Sequence, residues 1–252
     1  MTICASVKVR DGLVLATDSM TQIQSPGVGV IKTYANARKL FPLEGLPIGV
    51  MSYGVGNIGN RSIQSFVREF NSGLKLKGVK TVTQALYDFI AAAYEAEFAS
   101  MDAADRPALG FFVAGYSGKN VFAEEWEFRL PADPRHREVR PESVFGASWR
   151  GIDLPFTRLY FGYDPRALEA LQAAGLTDAQ IEAAFRPYQA QVVYDGMPVQ
   201  DAINFAVFIA ETTIGMATFE LGPPACGLPL QVATILPGAE FVWVSNPQLS
   251  IS

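Results

Sequence analysis

Hydrophobic residues along the chain switch between alternating and helical spacing, which divides it into blocks of strands and blocks of helices. Residues 2–9 alternate and are rich in Val and Ile, and Asp11-Gly12 separates them from an apolar run at 13–17. This pattern is typical of a β-hairpin. The predicted strands are 2–9, 13–17, 39–41, 47–53, 109–116, 120–128, 230–236 and 240–244.

Apolar residues at helical spacing predict the other elements. These helices are 58–73, one from Thr81 to 98, 165–174, one from Thr177, and 199–219. Thr81 and Thr177 are each followed three residues later by Gln, the pattern of a capping box. Residues 20–33, which contain Gly, Ser and Pro, and residues 131–158, which are rich in Pro and Arg, are predicted as loops.

The order of elements is strands, two helices, strands, helices and strands, without an internal repeat or a long linker. A chain of 252 residues is long enough to build one large domain. Each layer must bury one apolar face. We therefore expect a single domain over residues 1–252, with two sheets flanked by helical layers.

Composition argues against several classes of function. The net charge is -5 and the basic residues form no stripe, which argues against nucleic-acid binding. Acidic residues interleave with the arginines of 135–140, so we expect a solvated loop there. Two cysteines and the single His136 give no disulfide framework and little basis for a metal site or a Ser-His-Asp triad. We expect no metal and no cofactor.

The chain also lacks targeting patterns. Lys8, Arg10 and Asp11 interrupt the N-terminal apolar run, unlike in a signal peptide. By this reading, no segment has the ~20 consecutive apolar residues that span a bilayer. We expect a soluble, cytoplasmic protein without a membrane partner.

Two further features have ordinary structural interpretations. Cys4 could act as a second nucleophile only after Thr2 and Ile3 were removed, so we expect a buried small side chain. The run Glu124-Glu125-x-Glu127 lacks the glycine loop and partner ligands of a cation site, and we expect a charged sheet edge.

Thr2 follows only the initiator Met1, and a small second residue favours removal of that methionine. The chain would then begin with a hydroxyl beside a free α-amino group, whose pKa is about 7.7–8.0. A threonine activated by its own amine is a known nucleophile for acyl transfer.

Such a site also needs a cation to tune the amine, a carboxylate to pair with the cation, and an oxyanion donor. Lys39, Asp18 and Gly54 supply these groups at the ends of predicted strands. Each has an ordinary alternative: a surface lysine, a loop carboxylate and a tight turn. Gly54 precedes a predicted helix, whose N-terminus favours an anion.

The order of these residues resembles that of the proteasome β-subunit family. The matching motifs are Thr-Ile-x-Ala at the start, Asp-Gly-Leu-Val-Leu-Ala-Thr-Asp-Ser, a later Lys-Leu pair and Ser-x-Gly before a helix. The chain is especially similar to the bacterial HslV, Anbu and betaproteobacterial proteasome-homologue groups. The similarity covers residues 2–128 well, and the rest only in the order of elements.

The resemblance implies a four-layer αββα sandwich of two antiparallel sheets flanked by helices, the N-terminal nucleophile hydrolase fold. It implies that Thr2 is the nucleophile, that Lys39 tunes it, that Asp18 pairs with Lys39, and that the Gly54 N–H is the oxyanion donor. The implied contacts to the substrate main chain come from Thr21, Gln22 and Gly56. Lys32 competes with Lys39, which is preferred because Lys-Leu-Phe matches the strand start of the family.

The chain departs from the family pattern at three places. Met20 stands where the family often has arginine, and Ser148 is the nearest match to a serine that assists the amine. Residues 221–227 lack the Asp and Ser of the late Asp-x-x-Ser-Gly-Gly element. Candidates to replace that support are Glu220, Thr212 and Thr213.

The function implied by the resemblance is a threonine-type peptidase that acts through an acyl-enzyme within a ring or helical homo-oligomer. The implied substrates are peptides or unfolded proteins, with an ATP-dependent unfoldase or activator as a further partner. Two alternatives stay open: an inactive assembly subunit, which the altered late element favours, and a small-molecule amidase or acyltransferase with the same nucleophile.

Overall fold

The computed structural model describes residues 2–25, 27–131 and 133–247, whose strands form two antiparallel five-stranded sheets. The first sheet has the order β12 (Gly146–Gly151), β1 (Ile3–Val9), β2 (Gly12–Thr17), β13 (Gln231–Ile235) and β14 (Phe241–Ser245). The second has the order β11 (Asp133–Glu138), β10 (Glu124–Leu130), β9 (Leu109–Gly115), β6 (Ile48–Gly54) and β5 (Leu40–Pro42). Two short hairpins are β3 (Thr21–Ser25) with β4 (Gly29–Tyr34), and β7 (Asn57–Ile58) with β8 (Arg61–Ser62).

Helices cover the outer face of each sheet. The helices are α1 (Ile63–Ser72), α2 (Val79–Phe98), α3 (Leu154–Phe161), α4 (Ala167–Ala173), α5 (Asp178–Phe185) and α6 (Val199–Phe219). One hydrophobic core joins α1 and α2 to the second sheet, another joins α3 and α6 to the first, and a third lies between the sheets. The expected four-layer αββα sandwich is therefore confirmed.

Strands β1 and β2 lie in the middle layers, and every residue of both is buried. Alternate side chains of β1 face opposite cores: Ile3 and Ala5 face the helices, whereas Cys4 faces the other sheet. Cys4 is 1% exposed, as expected for a buried small side chain. Full burial of each large apolar side chain contributes about 1.5–3 kcal/mol, so this hairpin anchors the sandwich.

Two helix starts show where local sequence rules succeed and fail. Thr177 and Gln180 form the expected capping box at the start of α5. The capping box predicted at Thr81 is wrong, because α2 already begins at Val79 after Gly78. There the Val79 N–H donates to the Ser117 hydroxyl at 2.9 Å, a cap supplied by a residue distant in sequence.

Both predicted long loops contain regular structure. Residues 20–33 hold most of the hairpin β3–β4, and 131–158 holds β11, β12 and the start of α3. Within the latter region, we expected a solvated loop at 135–140 because acidic residues interleave with its arginines. Arg137 and Arg140 instead form ion pairs with carboxylates of the neighbouring strand β10.

The three carboxylates of β10 do not lie at a sheet edge, because β11 covers that side. Glu127 is 1% exposed and pairs with Arg137 at 2.6 Å and with Arg150 at 2.5 Å. Burial by itself would raise the pKa of Glu127. Hydrogen bonds from Arg150 and Arg137 and the charge of Arg129 outweigh burial and hold that pKa below its ordinary value.

The lowered pKa of Glu127 predicts a loss of stability in acid. Ionised Glu127 stabilises the fold fully above its unfolded pKa, near 4.5, and this contribution disappears as the pH falls through the lower folded pKa. We expect the difference in free energy of unfolding between wild type and Glu127→Gln to narrow below pH 4.5. Urea unfolding at a series of pH values measures this difference in free energy. The control is Glu95→Gln, which changes an exposed carboxylate. A difference that stays constant with pH would contradict the expectation.

Helix α6 is the one helix in the described ranges that is long and apolar enough to cross a membrane, judged by length and composition. Its residues Ala202, Ala206, Ile209 and Ala210 are buried in the core on the first sheet. The core helix of a soluble protein meets the same criterion, so this feature is weak support for a membrane span.

Candidate active site

A cavity of about 700 Å³ opens between the hairpin β3–β4 and the end of β6. Its wall brings together residues far apart in sequence, including Thr2, Thr21, Lys39, Gly54 and Gly56. Together with Gln22, six of the residues that the sequence analysis singled out line this one cavity. A cavity of this size is typical of ligand sites.

Thr2 lies immediately before β1 and is 3% exposed, at the wall of the cavity. The Thr2 carbonyl accepts a hydrogen bond from the Ile152 N–H at 2.8 Å. The next residue, Ile3, donates its N–H to Oδ1 of Asp18 at 3.2 Å. Backbone contacts on both sides thus fix the position of Thr2. Met1 lies outside the described residues, and its removal stays a prediction.

Asp18 is fully buried, and four donors converge on its carboxylate. Oδ1 accepts from the Ile3 N–H and from Nζ of Lys39 at 2.8 Å. Oδ2 accepts from the Met20 N–H at 3.0 Å and the Gly227 N–H at 3.1 Å. Three backbone N–H groups and one ammonium thus hold the carboxylate in place.

Lys39 forms the expected ion pair with Asp18, and only 8% of its side chain is exposed. Its competitor Lys32 lies exposed on β4, where its ammonium contacts the ring of Tyr34. The backbone of Lys39 is held by Gln231, whose Oε1 accepts from the N–H groups of Lys39 and Leu40, both at 3.1 Å. Sequence reasoning missed Gln231 because no motif marks it.

Gly54 ends β6 at the cavity with φ of +96°. A Cβ there would lie 2.2 Å from the Ala108 carbonyl oxygen, so the position requires glycine. The expectation that Gly54 lies at a helix N-terminus is wrong, since the hairpin β7–β8 intervenes and α1 begins only at Ile63. Any oxyanion stabilisation by Gly54 would come from its N–H without a helix dipole.

The three residues expected to bind the substrate main chain also line the cavity. Thr21 and Gln22 belong to β3, and Gly56 faces them from beyond β6, close to the Thr21 hydroxyl. Nε2 of Gln22 donates to the Pro224 carbonyl at 2.8 Å, which ties the hairpin to the late segment. The cleft between β3 and residues 54–56 suits an extended chain, and the binding role stays a prediction.

Comparison with solved structures places this arrangement in a known fold. The Anbu protein, or ancestral beta-subunit, from Yersinia bercovieri superposes with a TM-score of 0.58 and 15% identity over 96% of this chain and 87% of that chain. The chain has the Anbu fold. The Anbu complex of Pseudomonas aeruginosa, described as a helical assembly, gives a TM-score of 0.56 at 18% identity over 97% and 88% of the two chains. A Gly-1 mutant of Anbu from Hyphomicrobium sp. strain MC1 gives 0.57 at 13% over 97% and 87%.

Searches against protein-family models and curated protein sequences give no match. At these identities the structural similarity shows the fold, which is the one that the sequence resemblance implies. The roles of individual residues therefore rest on the geometry of this chain.

Within this Anbu fold, Ser148 does not lie at the cavity, and the prediction that it assists the amine is wrong. On β12, Ser148 stands opposite Ser6, whereas Gly151 stands opposite Ile3 beside Thr2. The Ser148 hydroxyl accepts a hydrogen bond from the Arg140 guanidinium. Ser148 therefore belongs to an ionic cluster farther along the strand.

The altered late segment 221–227 contacts the site through its backbone. The Gly227 N–H donates to Asp18, and the Gly227 carbonyl accepts from the Ser19 N–H at 3.2 Å. Glu220 is exposed, and the Thr213 hydroxyl donates to the Ile209 carbonyl within α6. The wall of the cavity includes none of Glu220, Thr212 or Thr213, so they do not supply the expected compensation. Main-chain groups of this segment hold Asp18 without an Asp or Ser side chain.

The two cysteines near the site are poor nucleophiles. Burial raises the pKa of Cys226 to about 12 and raises that of Cys4 further. Because the thiolate is the reactive form, neither thiol competes with a hydroxyl at neutral pH.

Proposed function

We propose that the chain is a threonine-type hydrolase that cleaves amide bonds of peptides, with Thr2 as the nucleophile after removal of Met1. The observation that carries the proposal is the buried ion pair of Asp18 with Lys39, which lines the cavity. The same carboxylate accepts the N–H of Ile3, the residue that follows Thr2. A buried pair at a cavity is typical of a functional site.

In the proposed reaction, the Thr2 hydroxyl oxygen attacks the carbonyl carbon of the scissile amide and its proton passes to the Thr2 amine. The nearby charge of Lys39 lowers the pKa of that amine, and Asp18 compensates the buried charge of Lys39. The Gly54 N–H donates to the developing oxyanion. Collapse of the intermediate expels the amine product with a proton, and water then hydrolyses the ester on Thr2.

We further propose that the chain self-associates into a ring or helical homo-oligomer in the cytoplasm and acts on peptides or unfolded proteins, with an unfoldase or activator as a further partner. Self-association is supported by the helical assembly described for Pseudomonas aeruginosa Anbu. It is also supported by exposed apolar side chains near the end of α6 and on β14, which are Phe219, Leu221, Val242 and Val244.

The nucleophile is tested by intact mass spectrometry after incubation with a β-lactone or an epoxyketone. We expect Met1 to be absent and one inhibitor mass to be added to wild type. Thr2→Ala should add none, because it lacks the hydroxyl, and Thr2→Ser should retain labelling by the β-lactone. Digestion should place the adduct on the N-terminal peptide.

Retention of Met1, or equal labelling of wild type and Thr2→Ala, would overturn the proposal. Absence of labelling with Met1 removed would favour the inactive assembly subunit. Labelling combined with turnover of small amides but not of fluorogenic peptides would favour the amidase.

A further inference from the structure

Glu127 does not line the cavity, but it pairs with Arg150 and Arg129, one on each sheet. It projects from β10 of the second sheet and is 1% exposed. Its carboxylate holds Arg150 of the first sheet through Nε at 2.5 Å. The two sheets are therefore joined by a partly buried, charge-assisted hydrogen bond.

On the first sheet, Arg150 directly precedes Gly151 and Ile152, whose backbones contact the Thr2 carbonyl. It stands opposite Cys4 in the pairing of β12 with β1, and the following Gly151 stands opposite Ile3. A Cβ on Gly151 would lie 1.9 Å from the Thr2 carbonyl oxygen, so the two main chains are in close contact. A displacement of Arg150 would therefore displace Thr2.

On the second sheet, Arg129 contacts both Glu127 and Tyr53, the residue before Gly54. Nη2 of Arg129 lies 3.6 Å from Oε1 of Glu127, and its Nε donates to the Tyr53 hydroxyl at 3.1 Å. The Tyr53 ring lies over Gly110, where a Cβ would come within 2.2 Å of the ring. Tyr53 is thus held at its hydroxyl and against β9.

We propose that Glu127 is a positioning residue, which through Arg150 and Arg129 fixes Thr2 and Gly54 relative to each other. The inference rests on the proposed function for the roles of those two residues. Nucleophile and oxyanion donor lie on different sheets, and the reaction depends on the spacing between them. A carboxylate bonded to both sheets sets that spacing without touching substrate.

Glu125 provides a matched control. It lies two residues earlier on β10, is fully buried, and pairs with Arg140 at 2.5 Å and with the Ser6 hydroxyl at 2.6 Å. Ser6 is three positions from Ile3 along β1, opposite Ser148. Glu125 is therefore as buried as Glu127 and also pairs with an arginine, but it has no connection to Thr2 or Tyr53.

The test compares Glu127→Gln, Glu127→Asp and Glu125→Gln in the full chain, well below the melting temperature of each variant. One readout is the rate constant of Thr2 acylation by a β-lactone, separated from the binding step by varying its concentration. The other is amide hydrogen exchange of the peptides that cover 2–5, 52–54 and 150–152. Unfolding in urea reports the stability of each variant.

We expect both Glu125→Gln and Glu127→Gln to lose stability, whereas only Glu127→Gln loses about ten- to a hundred-fold in the acylation rate constant. Its exchange should accelerate in all three segments, and Glu127→Asp should recover part of both effects. Equal acylation in the two glutamine variants, or unchanged exchange at 52–54 and 150–152, would overturn the positioning role. If wild type is not acylated, but exchange accelerates in Glu127→Gln and not in Glu125→Gln, the positioning role is supported and the proposed hydrolase activity is rejected.

Discussion

Asp18→Asn is expected to abolish acylation of Thr2 and to lower the free energy of unfolding by about 3–5 kcal/mol, the usual cost of breaking a buried pair. Each oxygen of Asp18 accepts two hydrogen bonds, so an amide nitrogen at either position would face two donors. No rotation of the asparagine avoids this conflict, and Lys39 would lose the carboxylate that balances its charge.

Inhibitor labelling and urea unfolding at a fixed protein concentration measure the two effects of Asp18→Asn. The control is Asp195→Asn, which removes an exposed ion pair with Arg10. The side chain of Arg10 is 55% exposed and that of Asp195 is 64% exposed. We expect that control to change stability by no more than about 1 kcal/mol. Normal labelling of Asp18→Asn would show that the carboxylate is not needed for the reaction.

Gly151→Ala is expected to have the next largest effect, because the new methyl group would collide with the backbone of Thr2. Gly151 has φ of +92°, and the strain of an alanine in such a conformation costs about 1–3 kcal/mol. Forcing a methyl group into filled space costs about 1–3 kcal/mol more. Since the obstacle is the Thr2 carbonyl, relief of the collision must displace the proposed nucleophile, and labelling should be lost.

Gly175→Ala separates the backbone strain from the steric collision in that prediction. Gly175 has nearly the same φ, +91°, but a Cβ there would have no neighbouring atom within 4 Å. We expect Gly175→Ala to show only the strain in urea unfolding and to label normally. If both variants lose the same stability and both label, close packing against Thr2 does not matter to the site.

The local parts of the site were predictable from the sequence, and the long-range parts were not. Asp11-Gly12 fixes the hairpin that brings Asp18 back to Ile3, and Lys-Leu-Phe marks the strand after Lys39. Gln231 reaches the backbone of Lys39 because the pairing of β13 with β2 places it opposite Thr17. Alternation of apolar and polar residues alone does not specify this register. Ser148 was misplaced for the same reason, since its distance from Thr2 depends on the register of β12 against β1.

Charge patterns were misleading where burial decided the outcome. Glu125 and Glu127 resembled a solvated edge because sequence does not show that their arginine partners lie on other strands. Residues 20–33 were predicted as a loop because their Gly and Pro residues suggested turns. They form most of the hairpin β3–β4 instead, in which Ile23 and Ile31 are exposed. Local composition indicates polarity, but tertiary pairing determines whether a charge is buried.

The complete burial of β1 has a consequence for how the molecule fluctuates. Amides of a central strand with two hydrogen-bonded neighbours exchange with solvent only through near-global unfolding, whereas an exposed two-stranded hairpin opens locally. We therefore expect slow exchange in β1, which follows Thr2, and faster exchange in the hairpin that contains β3. Ligands of different shape can therefore be accommodated by the hairpin while the reacting group keeps its place.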